Sequence, residues 1–124
     1  MEIHESAENY LETILMLRHR LGTVRSVDIA TELGFSKPSV SVFMKNLREN
    51  GYVTVDKDGS IELTETGAEI AEKIFERHEM LTKVLMALGV GEETARKDAC
   101  KIEHDLSDES FECLKAHYLK MKHE

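Results

Sequence analysis

The sequence predicts a mainly α-helical chain with a small β-hairpin wing: a winged helix-turn-helix followed by a wholly helical region. Three observations predict it. Residues 26–51 hold two short amphipathic stretches separated by Gly34-Phe35-Ser36. Residues 52–63 alternate around Asp56-Lys57-Asp58-Gly59, and Asp-Gly is a strong hairpin signal. From Thr64 onward the apolar residues recur at helical spacing. The expected division is 1–64 and 65–124.

Ser6 to Leu21 reads as the first helix, capped by Ser6, with Tyr10, Ile14, Leu17 and Leu21 as its apolar stripe. Asn9, Glu12 and Met16 form a second stripe roughly opposite, at ~100° per residue. Glu12 therefore points away from the face packed on the helix-turn-helix, and taken alone it reads as a solvated carboxylate. Val24-Arg25 has the composition of a short strand beside the wing.

Ser26 is the expected cap of the second helix, whose apolar positions are Val27, Ile29, Ala30 and Leu33. Gly34 supplies the positive φ where that helix stops, and Phe35 packs in the turn. Ser36 caps the third helix, and Pro38, the single proline of the chain, falls in its first turn. Val40, Phe43, Met44 and Leu47 are its buried stripe. The other side carries Lys37, Ser39, Ser41, Lys45 and Arg48. Short hydroxyls can approach base edges or phosphates, and cations neutralise phosphate. Ser36 and Pro38 at the start of this helix and Lys57 at the hairpin tip complete the expected DNA-binding set. The layout is that of a recognition helix lying in a major groove.

Thr64 caps the longest helix, Glu65 to about Leu88, with Ile70, Ile74, Leu81, Leu85 and Leu88 as its stripe. His78 falls in register with that stripe, where a histidine on its own reads as a packed, hydrogen-bonded core residue. Gly89-Val90-Gly91 breaks the helix, and the next one runs from Glu92 to about His104. Within it Cys100, Glu103 and His104 stand at i, i+3 and i+4, on one face within one turn. A thiolate, a carboxylate and an imidazole arranged this way make half of a transition-metal site. Ser107 caps a last helix, Asp108 to about Lys122. Its stripe of Phe111, Leu114, Tyr118 and Met121 has little chain left to cover it, so a partner subunit is the expected cover.

Composition bounds these readings. At 124 residues and 41% apolar content the chain can bury a core. It has no apolar run of membrane-spanning length and no signal peptide, so it is expected in the cytoplasm, away from membranes. A Gly-rich phosphate loop, a Ser-His-Asp arrangement and an HExxH motif are all lacking, which argues against an enzyme. The net charge is −8, yet between Arg18 and Lys57 seven cations face four anions, a local balance of +3. A bound divalent cation would lower the negative charge that opposes DNA.

SAENYLETILML, the winged helix, FERHEML and DACKIEHDLSDE, in that order, resemble the diphtheria-toxin-repressor family of metal-dependent transcription repressors. The resemblance covers essentially the whole chain, and the short length resembles the manganese-transport-regulator branch. It implies a metal held between the N-terminal helix, the long helix and the helix after it. Residue by residue, Glu12 matches a metal-binding glutamate of the manganese branch and His78 the histidine of the long helix. Glu103 and His104 match a glutamate-histidine pair. Cys100 stands where the iron-type repressors have cysteine and the manganese regulators glutamate. Asn9 stands where the two groups have methionine and aspartate, and its side-chain carbonyl is a candidate donor. Thr82 and Arg96 occupy ancillary-ligand positions of the iron type, so a complete ancillary site is not expected.

The function implied is a homodimeric, metal-activated repressor of palindromic double-stranded operator DNA. The metal joins elements that carry its ligands, and so fixes two recognition helices about 34 Å apart. Thiolate and imidazole favour Fe2+, Co2+, Ni2+ or Zn2+ over the harder Mn2+, while Glu12 and the short chain favour Mn2+; Fe2+ is the expected ion, with Mn2+ the alternative. One alternative keeps DNA binding but makes thiol oxidation at Cys100 the signal; others are a metal-dependent hydrolase and a dimerisation module that binds no DNA.

Overall fold

The computed structural model describes residues 5–122. The elements run α1 (Glu5–Leu21), α2 (Ser26–Leu33), α3 (Lys37–Glu49), β1 (Val53–Val55), β2 (Ile61–Leu63), α4 (Glu65–Ala87), α5 (Glu92–Ile102) and α6 (Asp108–Lys122). This is the mainly α-helical order with a hairpin wing that the sequence predicts. Two compact units divide between Lys73 and Ile74, inside α4.

In the first unit α1 buries Tyr10, Ile14 and Leu17 as expected, together with Leu11, while Leu21 at its end is exposed. Ser6 lies inside the helix rather than capping it. Ser26 is likewise the first helical residue of α2 and not its cap. Arg25 takes the cap position, and its N–H donates to Oδ2 of Asp28 at 2.9 Å. A carboxylate three residues into the helix reaches back better than the neighbouring hydroxyl. Gly34 closes α2 with a φ of 71°. Ser36 Oγ then accepts from the N–H of Ser39, and Pro38 sits in the first turn of α3. Val40, Met44 and Leu47 are buried. Phe43 is half-buried and stacks on Tyr10 with ring centroids 4.2 Å apart. Phe35 lies against Tyr10 with ring centroids 6.2 Å apart and stays half exposed.

The wing pairs Val53 with Leu63, Thr54 with Glu62 and Val55 with Ile61. Val24 bridges to its β2 edge beside the turn, its carbonyl accepting from the N–H of Ile61 at 2.8 Å. Thr64 ties the wing to α4. Its hydroxyl donates to the Gly51 carbonyl at 2.7 Å and accepts from the N–H of Gly67 at 3.1 Å. Its own N–H donates to the Tyr52 carbonyl at 3.0 Å. A β-carbon on Gly67 would lie 2.0 Å from that same oxygen, so only glycine allows the approach.

In the second unit the buried face of α4 includes Ile74 and Leu81, with Arg77, His78 and Thr82 beside them. Leu85 is half-buried, whereas Leu88 lies past the helix end and is exposed. After Gly91, α5 buries Ala95 and Ala99. It ends at Ile102, two residues earlier than expected, because Asp105 closes a tighter turn onto the Ile102 carbonyl. Glu103 nevertheless keeps helical angles (φ −57°, ψ −28°), and its N–H donates to the Ala99 carbonyl. Ser107 Oγ accepts from the N–H of Ser110 at the start of α6. Phe111 is buried, Leu114 and Tyr118 are half-buried, and Leu119 and Met121 are exposed. No described helix is long and apolar enough to cross a membrane.

Candidate metal centre and nucleic-acid interface

The second unit brings together side chains from two helices and the turn that follows. His78 projects from the buried face of α4; Cys100 comes from the last turn of α5, and Glu103 from the residue that ends it. Their ligand atoms all lie within 4.8 Å of one another. His78 Nδ1 is 3.0 Å from Glu103 Oε2 and 3.5 Å from Cys100 Sγ. Glu103 is fully buried, and a carboxylate survives there only where polar groups or a cation face it. One sulfur, one nitrogen and one oxygen donor in this space suit a divalent transition metal.

The other residues singled out from sequence stand as follows. His104 buries its side chain, with Nε2 3.3 Å from Glu103 Oε1, the carboxylate oxygen opposite the one beside His78. Glu12 and Asn9 are on α1 in the first unit. Asn9 is exposed, but Glu12 retains only 6% of its exposure, so it is not the solvated carboxylate that its position off the core stripe suggests. Thr82 donates its hydroxyl to the His78 carbonyl at 2.7 Å. The Arg96 guanidinium lies 3.8 Å from Glu79 and 3.7 Å from Glu92.

One buried group went unnoticed in the sequence. Arg77, next to His78, donates through one terminal nitrogen to the carbonyls of Glu103 (3.0 Å) and Leu106 (2.6 Å) and through the other to Asp108. The single available hint was an arginine beside the histidine of FERHEML.

In the first unit Ser36, Lys37, Pro38, Ser39, Ser41, Lys45, Arg48 and Lys57 are all exposed. Val42, absent from the expected set, lies on the same helix with 72% of its surface exposed. The cations of this unit divide by use. Arg18 pairs with Glu62, Arg20 with Glu32 and Arg25 with Asp58. Among the described residues, Lys37, Lys45, Arg48 and Lys57 form no such pair and stay available to an anionic partner.

Residues 2–61 match the N-terminal DNA-binding domain of the iron-dependent repressors, and residues 64–124 match their metal-binding and dimerisation domain. The chain belongs to the iron-dependent repressor family. It is 34% identical over 111 residues to the transcriptional regulator MntR of Escherichia coli O157:H7, covering 90% of this chain and 72% of that one. It is 38% identical over 120 residues to an uncharacterized helix-turn-helix transcriptional regulator of Methanocaldococcus jannaschii, covering 95% and 96%. Among solved structures it is similar to the manganese regulator SloR, with a TM-score of 0.79, 28% identity and 95% of this chain covered against 54% of that one. A manganese-dependent transcriptional repressor in complex with manganese gives a TM-score of 0.82 at 26% identity, covering 90% and 51%. The chain thus spans about half the length of those solved repressors. The iron-dependent repressors are metal-dependent transcription regulators rather than enzymes, which agrees with the non-enzymatic role expected from sequence.

Proposed function

We infer that the chain is a homodimeric repressor of palindromic operator DNA, activated by a divalent transition metal and serving iron or manganese homeostasis in the cytoplasm. The observation that carries this reading is the convergence of His78, Cys100 and Glu103 within 4.8 Å. The ligand set proposed is those three with His104, and with Glu12 and Asn9 as the donors on α1. The thiolate and imidazole favour Fe2+, with Mn2+ as the alternative that relatives named for manganese supply.

The DNA-binding role rests on Lys37, Lys45, Arg48 and Lys57 as phosphate contacts and on Ser36, Pro38, Ser39 and Ser41 as the start and outer face of a recognition helix. Bound metal would add positive charge to a chain of net charge −8. Moving a two-state repressor from mostly inactive to mostly active takes about 5.5 kcal/mol of differential binding. A centre with several donors can supply it.

Fluorescence anisotropy on a palindromic operator tests the reading. Affinity should rise with Fe2+ (anaerobic) or Mn2+ and vanish with chelator. Equal affinity in both conditions removes metal activation and leaves DNA binding. The exposed thiol of Cys100 favours a second reading, in which oxidation is the signal. Peroxide that changes operator affinity while metal does not would select it.

A further inference from the structure

We propose that Arg77 is the positioning residue of the metal centre: it fixes the segment that brings Glu103, with His104 next to it, up to His78. The proposal rests on the metal-binding reading above. Only 6% of the Arg77 side chain is exposed, so its charge is committed to the groups around it. Those groups lie on both sides of the break between α5 and α6. The carbonyls of Glu103 and Leu106 both accept from one terminal nitrogen. Asp108, the first residue of α6, accepts from the other. The guanidinium carbon stands 5.2 Å from the centre of the Phe111 ring, one turn into α6.

A helix end leaves its last carbonyls without intrahelical donors, and a cation near that end also complements the helix dipole. Arg77 does both for α5. The carbonyl it holds belongs to Glu103, the residue whose side chain faces His78. His78 is the next residue of the same α4 backbone. The guanidinium therefore sets the distance between two donors that come from different helices. A planar fork holds this geometry, and a lysine ammonium, a single rotating point charge, does not. Donor constellations tolerate about 0.5 Å of displacement.

The test is direct metal titration, with no DNA present, of the wild-type chain and of the Arg77→Lys, Arg77→Met and Asp108→Asn variants. Co2+ absorbance and competition with Mn2+ report affinity. Thermal melting of the metal-free chains reports the fold. Loss of an outer partner of a metal ligand costs about 10- to 100-fold in affinity. We expect that range for Arg77→Met and its lower end for Arg77→Lys. Asp108→Asn keeps an Oδ1 acceptor for Arg77 but loses the charge of the pair, so it should lose severalfold with its fold intact. Wild type that binds Co2+, with Arg77→Lys and Asp108→Asn binding equally well, overturns the proposal. So does a lowered melting temperature with unchanged affinity of the folded fraction, which marks a merely structural arginine. Wild type that binds neither ion overturns the metal reading itself, and the proposal falls with it.

Discussion

His78 and Glu103 are 25 residues apart in the chain, and Nδ1 of the first lies 3.0 Å from Oε2 of the second. His104 stands beside the other oxygen of the same carboxylate. The carboxylate thus stands between two imidazoles within the second unit, so the proposed donors of that unit already lie together. Preorganisation of this kind lowers the cost of binding.

Glu103→Ala removes the centre of that arrangement. The buried His78 imidazole loses its hydrogen bond to the carboxylate, which costs about 1–3 kcal/mol. Wild type should also gain about 2.7 kcal/mol when metal is present at ~100 times its Kd. Urea unfolding with and without Mn2+ checks both. The variant should have a lower midpoint, and metal should no longer move it. A midpoint that still rises with metal as in wild type would take Glu103 out of the ligand set.

Cys100→Ser replaces a soft donor by a hard one. The wild-type chain with Co2+ should show the near-ultraviolet charge-transfer band of a cobalt–thiolate bond, and the variant should lack it. Relative affinity should shift from Fe2+ and Co2+ towards Mn2+. A band that survives the substitution would place the sulfur elsewhere.

Lys45→Ala and Arg48→Ala test the outer face of α3. Among the described residues neither cation has an acidic partner to release, so each loss is expected to fall on DNA. A phosphate contact contributes about one unit to the slope of log affinity against log salt. Each variant should therefore flatten that slope by about 1 and weaken all sequences alike. Arg20→Ala, whose guanidinium is held by Glu32 at 3.0 Å, should change the slope little.

Most of the fold was legible because its punctuation is local. Gly34, Ser36, Pro38 and Asp58-Gly59 act on residues within one turn of themselves, as Thr64 does in capping α4 through the N–H of Gly67. Ser26 misled because a competing carboxylate, Asp28, sits three positions on. The i, i+3, i+4 spacing of Cys100, Glu103 and His104 was equally local, although the helix stops at Ile102. That His78 faces Glu103 depends on how α4 packs on α5, which periodicity does not report. Arg77 was invisible for the same reason, its partners lying 26 to 31 residues away and being mostly backbone carbonyls. Glu12 shows the limit of the helical wheel: it is off the core stripe and still buried.

The wing turn gives a pH dependence whose sign is fixed. The backbone N–H and then the hydroxyl of Ser60 hold the Asp58 carboxyl below its ordinary 3.8, and Arg25 adds to this. A group with a lowered pKa in the folded chain contributes stability that is present above the unfolded value. That contribution is lost as the pH falls below 3.8 and through the folded pKa. Carboxyl chemical shifts should place the Asp58 midpoint below 3.8, and Ser60→Ala should move it back up.

Gly67→Ala sets two effects against each other at the start of α4. Inside a helix, alanine is favoured over glycine by about 1 kcal/mol. Here the new β-carbon meets the Tyr52 carbonyl oxygen at 2.0 Å, and that atom is backbone, unable to rotate away. Relief requires the wing and the helix to part by more than 1 Å, in an arrangement where Thr64 donates to the same oxygen at 3.0 Å. Overpacking of this kind costs about 1–3 kcal/mol, and the loss of a hydrogen bond adds about 1. The balance favours destabilisation by about 1–3 kcal/mol, read as a lower urea midpoint of the metal-free chain. A variant more stable than wild type would mean that helix propensity wins and that Gly67 does not seat the wing.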